Sequence, residues 1–238
     1  MNKKHITTMK VVKKLLTYLI FPVIIIGLCY AIVQSVMEPV NFNNDKEARE
    51  AVGIQRLKDI RDLQVAFKSQ YGHFTPSVDS LKDFYNNGKI KLVMQVGSQD
   101  DSVAVEHTKQ IKRRNPRITP QQMYEMYQRG DHKLVFQIER DTLVRQTMFL
   151  DRPDFDIDSL AIVPFSGGDS IYMASAVKTV SGVKVPLFEA SMTYKSLLRG
   201  LDRQLIINLN AEREDTGRFP GLKVGSIDAP NNNAGNWE

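Results

Sequence analysis

The twenty-three residues 15–37, LLTYLIFPVIIIGLCYAIVQSVM, carry no charge. As a helix rising 1.5 Å per residue they extend roughly 34 Å, enough to cross a hydrocarbon core of about 30 Å. Buried helices of soluble domains use apolar runs of about 10–14 residues, so this length points to a transmembrane helix. Lys3, Lys4, Lys10, Lys13 and Lys14 precede the run, and no acidic residue does. Basic residues collect on the cytoplasmic side of a span. Residues 1–14 therefore read as a short cytoplasmic tail, and the chain from Glu38 onward as external. A cleaved signal has an apolar region of about 7–15 residues and a small-x-small cleavage site. The run here is longer, ends in Gln34-Ser35-Val36-Met37, and places the large Leu28 before Cys29. A retained anchor is the expectation.

Charge sharpens this topology. The chain of 238 residues has 32 basic and 27 acidic residues, net +5. Without the five lysines before the span, the remainder holds 27 of each and is neutral. The surplus thus belongs to the membrane signal, and no nucleic-acid partner is expected. The one cysteine, Cys29, lies within the span, so the external part has neither disulfides nor thiolate metal sites. Packing alone must hold it together.

Residues 38–86 read as an amphipathic helix and a turn. Pro39 is expected to interrupt the outward continuation of the span, and Asn43 or Asn44 to cap a new helix over about 45–70. Leu57, Ile60, Gln64, Phe67 and Tyr71 follow three- and four-residue steps and form one stripe. Gly72 suits a left-handed cap, and a short helix is expected over 79–86. Residues 87–227 read as a β-rich external domain. The period changes to two at Ile90, Leu92, Met94 and Val96. A polar loop over 97–120 follows, containing the basic run 109–117. Thr119 and Pro120 open a helix to about Gln128. Strands are expected near 133–139, 143–149, 171–180, 183–191 and 204–213, with Ser181-Gly182 as a hairpin turn and a short helix over 194–200. Residues 228–238 read as a flexible tail. The fold class is α+β: one transmembrane helix, then a long amphipathic helix packed on an antiparallel sheet.

No catalytic residue, cofactor or metal is expected. Asp151, Asp154, Asp156 and Asp158 begin like a calcium loop, but neither its glycine nor its closing glutamate arrives. Ser166-Gly167-Gly168-Asp169 lacks the lysine of a phosphate loop and reads as a hairpin turn. His73, His107 and His132 have no adjacent ligand pair or nucleophile motif.

The segment Leu63-Gln64-Val65-Ala66-Phe67, with Tyr71-Gly72-His73-Phe74-Thr75 and Asp79-Ser80-Leu81 after it, resembles the major pseudopilins of type II secretion and the type IV pilins. In those families the long N-terminal helix closes on an aliphatic–Ala–x–x–x–Tyr segment, followed by a Gly-x-Tyr/Phe-Pro/Thr turn and a short helix with a leucine. The resemblance covers residues 15–85; the Gly-Phe-x-x-x-Glu run of prepilin processing is not in this chain. It implies a pilin-like fold, with the N-terminus cytoplasmic, the anchor in a bacterial inner membrane and the large domain periplasmic. Bitopic assembly-platform proteins of the same machines share this layout. The implied role is a structural or interaction subunit of an envelope machine, with the lipid bilayer and either envelope proteins or a second copy as partners. Gly27 and Ala31 form a small-xxx-small pair that lets helices approach. Ala48, Ala51, Val52 and Ile54 would supply an apolar ledge just outside the bilayer. The alternative is a membrane-anchored ligand-binding module or enzyme.

Overall fold

The computed structural model describes residues 16–238, so the tail assigned to residues 1–14 lies outside the described residues. A π-helical turn, Leu16–Ile20, leads into α1, Phe21–Tyr71, a helix of 51 residues. At 1.5 Å per residue α1 is about 76 Å long. Its apolar N-terminal window is wholly exposed, and among the described residues it is the one helix long and apolar enough to cross a membrane. The expected break at Pro39 does not occur: proline sits inside α1, and neither Asn43 nor Asn44 starts a new helix. A proline in a helix interior costs about 3 kcal/mol. Packing opposes that cost: Phe42, only 8% exposed and part of the core cluster, ties the following turn to the core.

Gly72 ends α1 as expected, with φ of 78° and its N–H donating to the Lys68 carbonyl at 2.8 Å. Helix α2, Val78–Asn87, follows, capped by the Ser77 hydroxyl accepting from the Ser80 N–H. Strand β1, Lys89–Val96, pairs antiparallel with β2, Phe136–Leu143, in the register Lys89↔Leu143 to Val96↔Phe136. Between them lie α3, Ser102–Arg114, and α4, Pro120–Gln128. Together they enclose a small lobe around Val96, Met123, Leu134, Phe136 and Ile138.

Helix α3 replaces the loop expected over 97–120. Asp101 caps it by accepting from the Val103 and Ala104 N–H groups, both at 3.0 Å. Its last turn holds Lys112, Arg113 and Arg114, which favour the negative end of the helix dipole. The basic run is therefore a helix terminus. Helix α4 begins with the expected cap, and Thr119 and Gln122 complete a reciprocal capping box. The two strands expected over 133–149 are one, β2, after which a 3₁₀ turn, Val144–Gln146, buries Val144.

The second sheet has the order β3-β4-β5, all antiparallel: β3 Tyr172–Val180, β4 Val183–Thr193 and β5 Gly221–Gly225. Ser181 and Gly182 both take positive φ, 51° and 82°, as the tightest hairpin turn requires. A short helix α5, Tyr194–Leu197, follows β4. The strand expected over 204–213 is instead helix α6, Arg203–Asp215, capped by Asp202. Leu205, Ile206 and Leu209 pack on the core at helical spacing and Ile207 is exposed.

The tail of 228–238 is not loose. Gly225 donates to Ala234, Asn236 donates to Lys223, and the Asn236 amide bonds Gly221 at 2.9 Å. Trp237 packs on the core and Glu238 meets Arg61 at 2.7 Å.

The core lies between α1 and the β3-β4-β5 sheet, as the stripe suggested. Leu57, Ile60, Leu63 and Phe67 pack with Phe188, Ala190, Met192, Leu222 and Val224 in one cluster. Gly53 lets the sheet come close: a Cβ there would lie 2.9 Å from Leu222 and 3.1 Å from Met192. Tyr71, expected in the stripe, is 52% exposed and only edges Phe67 and Phe84.

Candidate interaction face

Gly27 and Ala31 are both exposed one turn apart, and a Cβ at Gly27 would meet nothing within 4 Å. Ala48, Ala51 and Val52 are also exposed. At 3.6 residues per turn, Gly27, Ala31, Ala48 and Val52 fall within an arc of about 100° on α1. The unbroken helix thus joins the face of Gly27 and Ala31 to that of Ala48 and Val52, which the expected break at Pro39 would have uncoupled. Ile54 does not belong to the ledge: it packs against the core.

The ledge runs into a cleft of about 320 Å³, between α1 and the loop after β2. Ala51, Val52, Arg56 and Asp59 line it from α1, and Arg152, Phe155 and Leu160 from the loop. Asp59 is 3% exposed, and its carboxylate accepts from Gln55 Nε2 at 3.0 Å and from Arg152. Arg152 also reaches Asp154 at 3.7 Å and lies about 6 Å from the Phe149 and Phe155 ring centres. Arg56 donates to the Ser159 carbonyl. Burial pulls its pKa below the ordinary arginine value, against the raising effect of Asp59 and Asp156. These groups strap the loop to α1. The cleft can hold a polar group against an apolar wall.

Closer to the apolar segment, Glu50 accepts the Tyr194 hydroxyl at 2.5 Å, and Arg213 donates to the same hydroxyl at 2.9 Å while stacking 5.3 Å from the ring centre. Desolvation, with Glu50 beside it, pushes the Tyr194 phenol far above its ordinary pKa, so it stays a neutral donor. Arg49 donates to the Leu197 and Arg199 carbonyls and lies 4.9 Å from the Phe165 ring centre. These contacts clasp α1 to α5 and α6.

The other singled-out motifs have local uses. Asp156 accepts from the Asp158 N–H at 3.0 Å, and Asp158 meets Lys82 at 3.3 Å. Among the described residues no three His, Cys, Asp or Glu side chains converge on a metal position. Ser166 Oγ accepts from the Gly168 and Asp169 N–H groups, closing its own turn as expected of Gly-Gly there. His107 meets Asp131 at 3.0 Å, His73 the Tyr71 carbonyl, and His132 the Tyr127 ring.

The cleft is not legible in the sequence. Its one local signal is Asp59, a carboxylate between the core residues Leu57 and Ile60. Arg152, its partner, lies 93 residues further along the chain. No protein-family model, curated protein or solved structure matches this chain.

Proposed function

We propose that this is a single-pass inner-membrane protein whose periplasmic domain is an interaction subunit of an envelope machine, similar to a pseudopilin or an assembly-platform component. The carrying observation is the continuity of α1: an exposed apolar segment and a buried core stripe share one unbroken helix. A partner that grips the span face or the ledge thereby moves the whole external domain, with no flexible stalk to absorb the displacement. Gly27 and Ala31 let a second helix approach closely in lipid, where packing rather than hydrophobic transfer drives association, and Ala48 and Val52 continue the same face beyond it. The second reading, a membrane-anchored ligand-binding module, is favoured by the cleft at Arg56 and Arg152.

Topology is tested first. Proteinase added to right-side-out spheroplasts is expected to digest the domain after Glu38 and to spare the N-terminal tail. Protection of the domain reverses the orientation. For the interaction, Gly27→Leu with Ala31→Leu is expected to abolish co-purification with a partner or self-association, leaving abundance and topology unchanged. Intact complexes in that double variant shift the function to the cleft.

A further inference from the structure

The elements packed on α1 reach different distances from the apolar segment that ends at Met37. Met192 and Leu222 pack at Gly53. Arg56 bonds the Ser159 carbonyl, and further along the same loop the Phe165 ring lies 4.9 Å from the Arg49 guanidinium. Past Met192 the chain moves in the same direction: Tyr194 meets Glu50, and the Leu197 and Arg199 carbonyls meet Arg49. The domain does not stop there. Phe42, about two turns nearer the apolar segment than Arg49, is 8% exposed and belongs to the core cluster. Leu201, Leu205, Ile206 and Leu209, which follow directly on Arg199, pack on that cluster. At 1.5 Å per residue Phe42 lies only about 7.5 Å beyond Met37 along the helix. The headgroup layer on each side of a bilayer is about 5–7 Å deep.

We propose that the end of the domain formed by residues 199–208 is seated on the headgroup layer of the bilayer that α1 crosses, with phospholipid as its partner. This rests on the anchoring proposed above. The outer face of α6 has the composition for it. Arg203, Gln204, Ile207 and Asn208 are exposed, and Ile207 keeps 47% of its surface open on the side opposite the packed Leu205 and Leu209. An apolar side chain among headgroups, with basic ones beside it, is how interfacial helices bind. Arg203 and Lys195 are exposed, and neither forms an ion pair among the described residues.

The remaining charge at this end is paired or balanced. Arg199 meets Asp169 at 2.5 Å, Lys46 meets Glu50 at 3.8 Å, and Asp202 caps α6. Glu38, Asp45 and Glu47 on α1 offset Arg49, Lys195 and Arg203. A nearly neutral end fits zwitterionic headgroups, whose phosphates take the two free cations while their stems lie along the apolar boundary. No anionic lipid is required. The seat covers the flank of Phe42 and Gly53 and leaves the exposed Ala48 and Val52 free.

The test uses the full chain in phosphatidylcholine vesicles, with a fluorescent probe on single cysteines at exposed positions. Cys29 carries it in the parent; Ile207→Cys or Val183→Cys carries it in Cys29→Ser chains. Val183 is the control. Strand β4 runs from Met192 at Gly53 past Phe188 at Phe74, which puts Val183 about 30 Å up the strand from Met192, away from the bilayer. Nitroxide on the lipid headgroup is expected to quench the Ile207 probe at least about twofold and to leave the Val183 probe unchanged. Ile207→Glu, read from a probe at Gln204→Cys, is expected to lower quenching to the Val183 level. An unquenched Ile207 probe overturns the proposal, as do equal quenching at Ile207 and Val183 and a Gln204 probe indifferent to Ile207→Glu. Nitroxide in the acyl chains is expected to quench the Cys29 probe. If it does so while the Ile207 probe is unaffected, the anchor stands and the seat falls; if Cys29 is not quenched, both fall.

Discussion

Leu57→Asp is expected to unfold the domain that follows the apolar segment at temperatures where the parent chain is intact. Leu57 has no exposed surface and sits mid-stripe on α1, in the cluster that joins the helix to β4 and β5. Removing the leucine forfeits about 2–5 kcal/mol of packing and burial. The carboxylate put there then meets apolar side chains and must stay protonated or open the structure, which adds several kcal/mol. Folded domains of this size hold about 5–15 kcal/mol in all, so the sum takes most of the reserve. Thermal unfolding of the detergent-solubilised chain, followed by limited proteolysis after Glu38, reads the effect. Leu57→Met at the same site keeps volume and apolarity and is expected to cost less than about 1.5 kcal/mol. If Leu57→Asp melts with the parent, the stripe is not core and α1 does not support the sheet.

What could be read in advance depended on how local the determinant was. The apolar run and the stripe at Leu57, Ile60 and Phe67 were legible because a helix writes its environment at every third or fourth residue. The turn at Ser181-Gly182 and the cap at Thr119 were legible for the same local reason. Pro39 misled because its rule is local while the outcome is not: Phe42, three residues on, is held by the distant core. Helix α3 escaped because its inward face is small and polar, Ala104 and Thr108, with the Thr108 hydroxyl accepting from the Val135 N–H at 2.8 Å. Helix α6 reads as a strand because Leu205, Ile207 and Leu209 satisfy a period of two; Ile206, which packs inward, decides for the helix. The C-terminal segment looked like a solvated tail by composition. Its order comes from Asn236, which bonds the Lys223 N–H and carbonyl and the Gly221 carbonyl along the outer edge of β5, a pairing that no composition encodes. The Asp59–Arg152 cleft and the Glu50–Tyr194–Arg213 clasp join residues over great sequence separation, and no pattern within a window could show them.

Gln64→Leu is expected to loosen the joint where α1 gives way to the turn. Gln64 is fully buried on the stripe, and its amide makes a reciprocal pair with the backbone of Thr75: Nε2 donates to the Thr75 carbonyl at 2.5 Å, and Oε1 accepts the Thr75 N–H at 3.1 Å. Leucine has nearly the volume of glutamine and greater apolarity, so transfer alone would make the substitution neutral or favourable. The backbone decides the sign. Thr75 is itself buried, and both of its peptide groups lose their partner with no water to replace it. Each orphaned group costs about 1–3 kcal/mol, for a total of roughly 2–5 kcal/mol after the gain from leucine. In a domain of about 200 residues this lowers the melting temperature by about 5–15 °C. The accompanying signature is local: the Thr75 amide is expected to exchange with solvent well before the core of α1, and cleavage is expected first at His73–Phe74. A Gln64→Leu chain that keeps the parent melting temperature and a protected Thr75 amide would show that the joint is held by Phe74 packing on Phe188 instead of by the glutamine clamp.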